Sequence, residues 1–185
     1  IVPGGLVASI LVPWMTKKFT KKWAYIYVHI LGAVVMFAMY FIGYDAPWKL
    51  VVNAIGLVLL GIPQGVNNII TYAMIGDTVD YLEWKTGERA EGICFAMQTL
   101  INKIGMAVGA FVGVFSYSWA GINPEATPAI TPDGRQLLWN VLILTGAISM
   151  AATIIPMLFY NITEKKQQQM VAEIAERSNS NGSEK

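Results

Sequence analysis

The sequence predicts an all-α, polytopic membrane protein. Hydrophobic residues make up 55% of the 185 residues and charged residues only 14%, against about a quarter in a typical soluble domain, and the mean hydropathy is +0.48. The charged residues collect in a few short clusters that separate long apolar stretches, which is how loops and membrane spans alternate. The net charge of +1 therefore indicates no nucleic-acid partner.

The apolar stretches predict four complete membrane-spanning helices and the end of a fifth. Residues 1–15 are apolar but shorter than the roughly 20 residues that a crossing helix needs, so we expect the end of a truncated helix in a chain whose N-terminal part is missing. The predicted spans are residues 23–44, 48–75, 92–119 and 136–160. A basic loop (16–22), a charged loop (76–91), a Pro-rich loop (120–135) and a tail (161–185) complete the chain. The tail ends in a Ser/Asn/Gly-rich stretch with the composition of a disordered segment.

Lysine and arginine counts predict the orientation. The 16–22 loop holds four lysines, the 76–91 loop holds Lys85 and Arg89, and the tail begins Glu164-Lys165-Lys166. The alternate loops hold only Lys49 and Arg135. By the positive-inside rule, residues 16–22, 76–91 and 161–185 are expected in the cytoplasm. The sequence therefore predicts a multi-pass protein of the inner (cell) membrane with a cytoplasmic C-terminus.

Lys103 is the charged residue that fits an apolar span least well. It follows Gly92 by eleven residues, or about 16 Å of helix, which is near the midplane of a hydrocarbon core about 30 Å thick. A buried ammonium there costs on the order of 3 kcal/mol, so we expect it to meet water, a carboxylate or a ligand. The alternative is a structural ion pair with a helix that precedes residue 1.

Further polar residues form stripes on two predicted spans. Gln98 and Thr99 lie about one turn from Lys103. The preceding span has polar residues at the i, i+3, i+4, i+7 spacing of one helix face: Gln64, Asn67, Asn68 and Thr71. These stripes favour an aqueous cavity over simple helix-to-helix hydrogen bonding.

Glycine and proline mark both of these spans. Gly61, Pro63 and Gly65 predict a kinked, pliable helix, which suits alternating access. The fourth span has a Gly-xxx-Gly-xxx-Gly ridge at positions 105, 109 and 113, which we interpret as a packing surface.

The segment from Asp77 to Glu91 is the densest charge cluster of the chain. Asp77, Asp80 and Glu83 are spaced to share one helix face, with Lys85 and Arg89 close enough to neutralise part of their charge. Acidic residues contribute little to topology. We therefore interpret the segment as a network that forms in one conformation and breaks in another; the alternative is a solvated loop.

The string Asp77-Thr-Val-Asp80-Tyr-Leu-Glu83-Trp-Lys85-Thr-Gly-Glu-Arg89-Ala-Glu91, followed by Gln98, Thr99 and Lys103, resembles the glycoside–pentoside–hexuronide:cation symporters. This melibiose-carrier-like family belongs to the major facilitator superfamily, and the resemblance runs from the basic first loop to the tail. It implies the C-terminal half, incomplete, of a major-facilitator-type helical bundle, from the end of helix eight through helix twelve.

The resemblance also implies residue roles. Lys103, Gln98 and Thr99 match positions that line the sugar cavity, and we expect Asn67, Asn68, Gln64 and Thr71 on the same cavity. Asp77, Asp80, Glu83 and Arg89 match a cytoplasmic gating network, which Lys85 and Glu91 adjoin. Asn68 stands where the melibiose carrier has a sugar-facing tryptophan, which argues against melibiose itself. The family's carboxylates for the coupling cation, Na+ or H+, lie in the N-terminal bundle that would be this chain's partner.

The predicted function is cation-coupled symport of a glycoside, pentoside or hexuronide across the lipid bilayer by alternating access. The sequence contains no plausible nucleophile–base set, so we do not expect an enzyme. Cys94 is the one cysteine and His29 the one histidine, so we expect no metal site. We also expect no cofactor. Two alternatives stay open. One is a major-facilitator carrier of a non-sugar solute, and the other is a membrane scaffold subunit that does not transport.

Overall fold

The computed structural model describes residues 2–123, 125 and 129–182, and every regular element within them is an α-helix. The helices are α1 (Val2–Lys18), α2 (Lys21–Ile42), α3 (Pro47–Thr86), α4 (Glu91–Trp119), α5 (Pro132–Ala152), α6 (Ile154–Leu158) and α7 (Glu164–Gly182). Within the described residues, four segments are long and apolar enough to cross a membrane: α2, α3, α4, and α5 with α6. The predicted all-α membrane class is confirmed.

Local sequence signals begin and end these helices. The Thr20 hydroxyl accepts a hydrogen bond from the Trp23 backbone N–H and caps α2. Pro47 occupies the first turn of α3, where its missing N–H costs nothing. Gly43 and Gly87 follow the last residues of α2 and α3 with φ of 74° and 79°, and glycine adopts such values without strain.

Helix α3 is much longer than a membrane requires. Its 40 residues extend about 60 Å, roughly twice the thickness of the hydrocarbon core. The segment predicted as a charged loop at 76–91 is therefore helical as far as Thr86, and only residues 87–90 connect it to α4. Residues 77–86 contain no Gly or Pro, so nothing in the sequence ends the helix before Gly87.

The last predicted span, 136–160, is divided into two helices. It begins earlier, at Pro132, and α5 ends at Ala152 before the short α6 begins at Ile154. Pro156 has no N–H to donate to the carbonyl of Ala152, four residues before it, and its ring crowds that carbonyl. The division therefore follows from Pro156.

Helices α2 and α3 contribute to both apolar clusters of the bundle. The larger apolar cluster joins α1, α2, α3 and α6 through Ala8, Val12, Ala24, Tyr25, Ile26, Val28, Val66, Ile70 and Met157. A smaller one joins α2, α3 and α5 through Met39, Leu60 and Ile143. These contacts pack the middle of α3, from Leu60 to Ile70, against the rest of the bundle.

Small residues bring α1 and α3 into close contact. A Cβ added to Gly4 would overlap the Val58 carbonyl, and one added to Gly65 would lie 2.6 Å from the Ala8 Cβ. The helix runs without interruption through Pro63. The glycines near Pro63 thus serve close helix packing, and the pliability predicted from them stays a prediction.

Helix α4 lies at the edge of the described bundle. Ser116 is its one buried residue, and a Cβ on Gly105, Gly109 or Gly113 would meet nothing within 4 Å. The glycine ridge predicted as a packing surface therefore contacts none of the described residues.

The tail is helical over most of its length. Helix α7 spans Glu164–Gly182 and packs along the end of α3, so the Ser/Asn/Gly-rich stretch predicted to be disordered is helical as far as Gly182. Its last residues, 183–185, lie outside the described residues, as do 124 and 126–128 of the predicted 120–135 loop.

Candidate functional site

Asp77 is the centre of a buried charge cluster at the end of the bundle where α2 begins and α3 extends beyond the apolar helices. The residue is 4% exposed, and both carboxylate oxygens lie 2.7 Å from the Lys21 Nζ. The Tyr160 hydroxyl donates to Asp77 Oδ2 at 3.0 Å. A carboxylate taken out of water needs such partners, so Lys21 and Tyr160 hold the side chain of Asp77 in one position.

The same surroundings change the pKa of the Tyr160 phenol. Burial raises its pKa well above the ordinary value, and the negative charge of Asp77 raises the pKa further. Both influences favour the neutral phenol, so Tyr160 remains a hydrogen-bond donor to Asp77 across the neutral pH range.

Arg89 organises a second, more exposed cluster one helical turn further along α3. Its guanidinium lies 2.7 Å from Glu83 Oε2, 3.3 Å from Glu91 Oε2 and 3.6 Å from Asp80 Oδ1. The guanidinium donates hydrogen bonds to Glu83 and Glu91, and these two bonds, the first more than the second, raise its pKa. The Arg89 side chain is 53% exposed, so water and salt screen these pairs.

These two clusters contain most of the residues predicted as a network, together with two that were not predicted. We call Lys21, Asp77, Tyr160, Asp80, Glu83, Arg89 and Glu91 the charged network, and the end of the bundle that holds it the charged end. Lys85 has no ion pair among the described residues; its Nζ lies 5.9 Å from the centroid of the Tyr81 ring.

Helix α7 lies against the charged network. Gln167 Nε2 donates to Asp80 Oδ2 at 3.1 Å, and Trp84 Nε1 donates to Glu173 Oε2 at 2.6 Å. Glu164 Oε1 accepts the backbone N–H of Lys21 at 2.7 Å. The tail thus reaches both α2 and α3 by polar contacts.

The polar stripe of α3 is divided between two cavities. Gln64 and Asn67 line a cavity of about 160 Å³ together with His29 and Ser149, between α2, α3 and α5. Thr71 lines a second cavity of about 320 Å³, and its hydroxyl donates to Asn67 Oδ1 at 3.4 Å. Asn68 lines neither of these cavities and is exposed.

The polar residues of α4 stand apart from those of α3. Lys103 is exposed, and no hydrogen bond or ion pair joins it to another residue in the described part of the chain. The Thr99 hydroxyl donates to the Phe95 carbonyl of its own helix at 2.9 Å, and Gln98 is half-buried. The described residues therefore do not bring the two polar stripes into direct contact.

Sequence reasoning missed Lys21, Tyr160 and Gln167 as partners of the acids. Lys21 is one of the four lysines that predict the orientation, and Tyr160 is the last residue of the predicted span 136–160. Each is more than 50 residues away from Asp77 along the chain. No local spacing rule links residues at such separations, so only the packing of α2, α7 and the residues that follow α6 against α3 could bring them together.

The four long apolar segments are those of a multi-pass helical membrane protein. The chain belongs to the MFS/sugar transport protein family, whose model matches residues 1–164.

The chain is also similar to curated bacterial proteins along nearly its whole length. It is 31% identical to a glucuronide carrier protein homolog of Escherichia coli, over 94% of this chain and 37% of that protein. A putative sulfoquinovose importer of the same organism is also 31% identical, over 94% and 36%. An isoprimeverose transporter of Lactiplantibacillus pentosus is 24% identical, over 93% and 35%. The chain spans little more than a third of the length of these relatives.

Proposed function

We propose that the chain is part of a secondary active transporter that carries a sugar by cation-coupled symport and alternating access. The observation that carries the proposal is membership of the sugar transport family, with relatives named for glucuronide, sulfoquinovose and isoprimeverose. The remaining helices, including those expected to bind Na+ or H+, would come from an N-terminal bundle of the same protein.

The substrate site we propose is built around Lys103, with Gln98, Thr99, Asn67, Asn68, Gln64 and Thr71 as candidate sugar contacts. Lys103 is the only charged residue of α4 beyond its first residue, Glu91. An exposed ammonium deep in an apolar helix attracts anions strongly because the surrounding dielectric is low. This property favours an acidic member of the class, a hexuronide, over a neutral glycoside.

A non-sugar solute is the second candidate, and one observation favours it. The chain is 29% identical, over 92% of its length, to a putative 2,3-dihydroxypropane-1-sulfonate exporter of Salmonella typhimurium, of which it covers 36%. That named solute is a small anion and not a sugar, and Lys103 would suit it equally.

We further propose that the protein lies in the inner (cell) membrane and that its charged end faces the cytoplasm. Four lysines, two at the end of α1 and two at the start of α2, and the basic start of α7 support this orientation. The charged network would then act as a gate on the cytoplasmic side, because ion pairs between separate helices can form and break as the helices move.

Uptake by cells that express the full-length protein tests the function. We expect accumulation of a labelled hexuronide, stimulated by Na+ or by an inward proton gradient, and weaker accumulation of the matching neutral glucoside. Uptake of 2,3-dihydroxypropane-1-sulfonate without any sugar would favour the second candidate. A protein that reaches the membrane but carries none of these solutes would contradict the proposal.

A further inference from the structure

A pocket of about 430 Å³ lies at the charged end, between the α1–α2 turn and the start of α7. Lys17 and Lys18, in the last turn of α1, and Lys165, in the first turn of α7, all line it. None of the three lysines pairs with a carboxylate among the described residues. Three cations without a counter-ion therefore surround one cavity.

Two helix N-termini add to this positive potential. Thr20, which caps α2, and Thr163, whose hydroxyl accepts the Lys166 backbone N–H at 3.3 Å, also line the pocket. The positive end of a helix dipole favours an anion, and threonine hydroxyls can donate to one.

The pocket also contains one acidic side chain, Glu164. Its Oε1 is engaged by the Lys21 backbone N–H at 2.7 Å, so it caps α2 and does not pair with the three lysines. Three lysines and one glutamate leave a charge of +2 on the lining.

Aromatic residues of the kind found at membrane interfaces lie on the two helices next to the pocket. Trp14 is exposed one turn before Lys18, whose Nζ lies 5.4 Å from the centroid of the Trp14 ring, and Trp23 stacks on Tyr27 at the start of α2. Tryptophan and tyrosine are enriched where hydrocarbon meets headgroups. Ile10, one turn further into α1, is 78% exposed, so an apolar surface adjoins the basic pocket.

We propose that this pocket binds the headgroup phosphate of an anionic phospholipid, with an acyl chain along the exposed face of α1. Inorganic phosphate presents the same charge and the same acceptor oxygens. The adjoining apolar surface at Ile10 and Trp14 favours the lipid, because a free anion would gain nothing from it. Each lysine near an anionic membrane surface contributes roughly a fivefold gain in binding.

Native mass spectrometry of the full-length protein in detergent tests the site. Lipid retention is measured with phosphatidylglycerol and with phosphatidylcholine, each at several concentrations. The test variant combines Lys17→Gln, Lys18→Gln and Lys165→Gln, and the control is Lys49→Gln at the opposite end of the bundle. A triple Lys→Arg variant keeps the charge and separates lost binding from lost folding.

We expect the wild type, the control and the arginine variant to retain phosphatidylglycerol, and the glutamine variant to retain at least about tenfold less. Phosphatidylcholine should be retained weakly by all four proteins. Equal retention of phosphatidylglycerol by the glutamine variant and the wild type would overturn the proposal. So would equal retention of the two lipids by the wild type, or displacement of phosphatidylglycerol by millimolar inorganic phosphate.

Discussion

The charged side chains of the charged network and of helix α4 differ in their burial and in their partners. At the charged end, Asp77 is buried and paired with residues from two other segments, and Arg89 contacts three acids. On α4, Lys103 is exposed and pairs with no described residue. Charges that are satisfied within the chain fix its conformation, whereas a charge presented outward from an apolar helix is available for a ligand or for another part of the protein.

Substitution of Lys103 should give the largest effect on transport. In the full-length protein we expect Lys103→Ala to lower sugar accumulation by about 10- to 100-fold, which corresponds to the loss of one hydrogen bond with a charged partner. The amount of protein in the membrane should stay unchanged. Uptake of labelled sugar by whole cells measures the first quantity, and immunoblotting of membranes the second.

Lys49→Ala is the matched control, since Lys49 lies in the first turn of α3 and pairs with the exposed Asp45. It should transport normally. Normal uptake by the Lys103→Ala protein would show that the outward charge of α4 has no part in substrate binding.

Substitution of Asp77 should give the largest effect on stability. Asp77→Asn leaves Lys21 without its counter-charge while Lys21 is only 22% exposed. Breaking a fully buried pair costs about 3–5 kcal/mol, and the residual exposure of Lys21 reduces this to about 2–3 kcal/mol. The apparent unfolding temperature of the purified protein should fall by several degrees, and an unchanged value would contradict the buried pair.

A double variant sharpens this test. Asp77→Leu with Lys21→Met replaces both charges by apolar groups, so no charge is left buried alone. We expect it to be more stable than Asp77→Asn. If the double variant is the less stable of the two, the ion pair itself contributes more than the cost of desolvating it.

Close packing of α1 on α3 provides a second contrast with the open glycine ridge of α4. Gly4→Ala would force a methyl group into the Val58 carbonyl, whereas Gly5→Ala meets nothing within 4 Å. We expect Gly4→Ala to lower the free energy of unfolding by about 1–3 kcal/mol and Gly5→Ala to leave it unchanged or raise it slightly. Equal unfolding temperatures for the two variants would contradict the close approach of the helices.

Tyr160 makes the stability of the charged end depend on pH. Its pKa is raised on folding, by burial first and then by Asp77, so its contribution is complete below the unfolded value of about 10 and is lost as the pH rises through the folded pKa. Tyr160→Phe should cost about 1.5 kcal/mol at pH 7, for the hydrogen bond to Asp77. The difference between the two proteins should shrink above pH 10, and a constant difference up to pH 11 would contradict this role.

The fold was more predictable from the sequence than the site. Apolar length and charge clusters predict α2, α3, α4 and α5, because a span needs only about 20 apolar residues in a row. The partners of Asp77 were not predictable, since Lys21 and Tyr160 reach it only through the packing of three helices. Lys103 could be identified from the sequence because it lies within an otherwise apolar helix. Its binding partner could not be identified, since no local pattern specifies which residues or ligands come close to it.

Arg89 should give the smallest change in stability, although it contacts more acids than any other residue of the charged network. Its side chain is 53% exposed, and exposed pairs contribute little to the free energy of unfolding. Arg89→Gln should therefore leave the unfolding temperature within about a degree of the wild type.

If the charged network is a gate, the same variant should change the transport turnover by a few-fold and the sugar KM much less. Exchange and net uptake measured over a range of sugar concentrations separate the two quantities. If Arg89→Gln lowers the unfolding temperature by several degrees but leaves the transport turnover unchanged, Arg89 stabilises the fold as Asp77 does. The gate would then have to lie elsewhere in the protein.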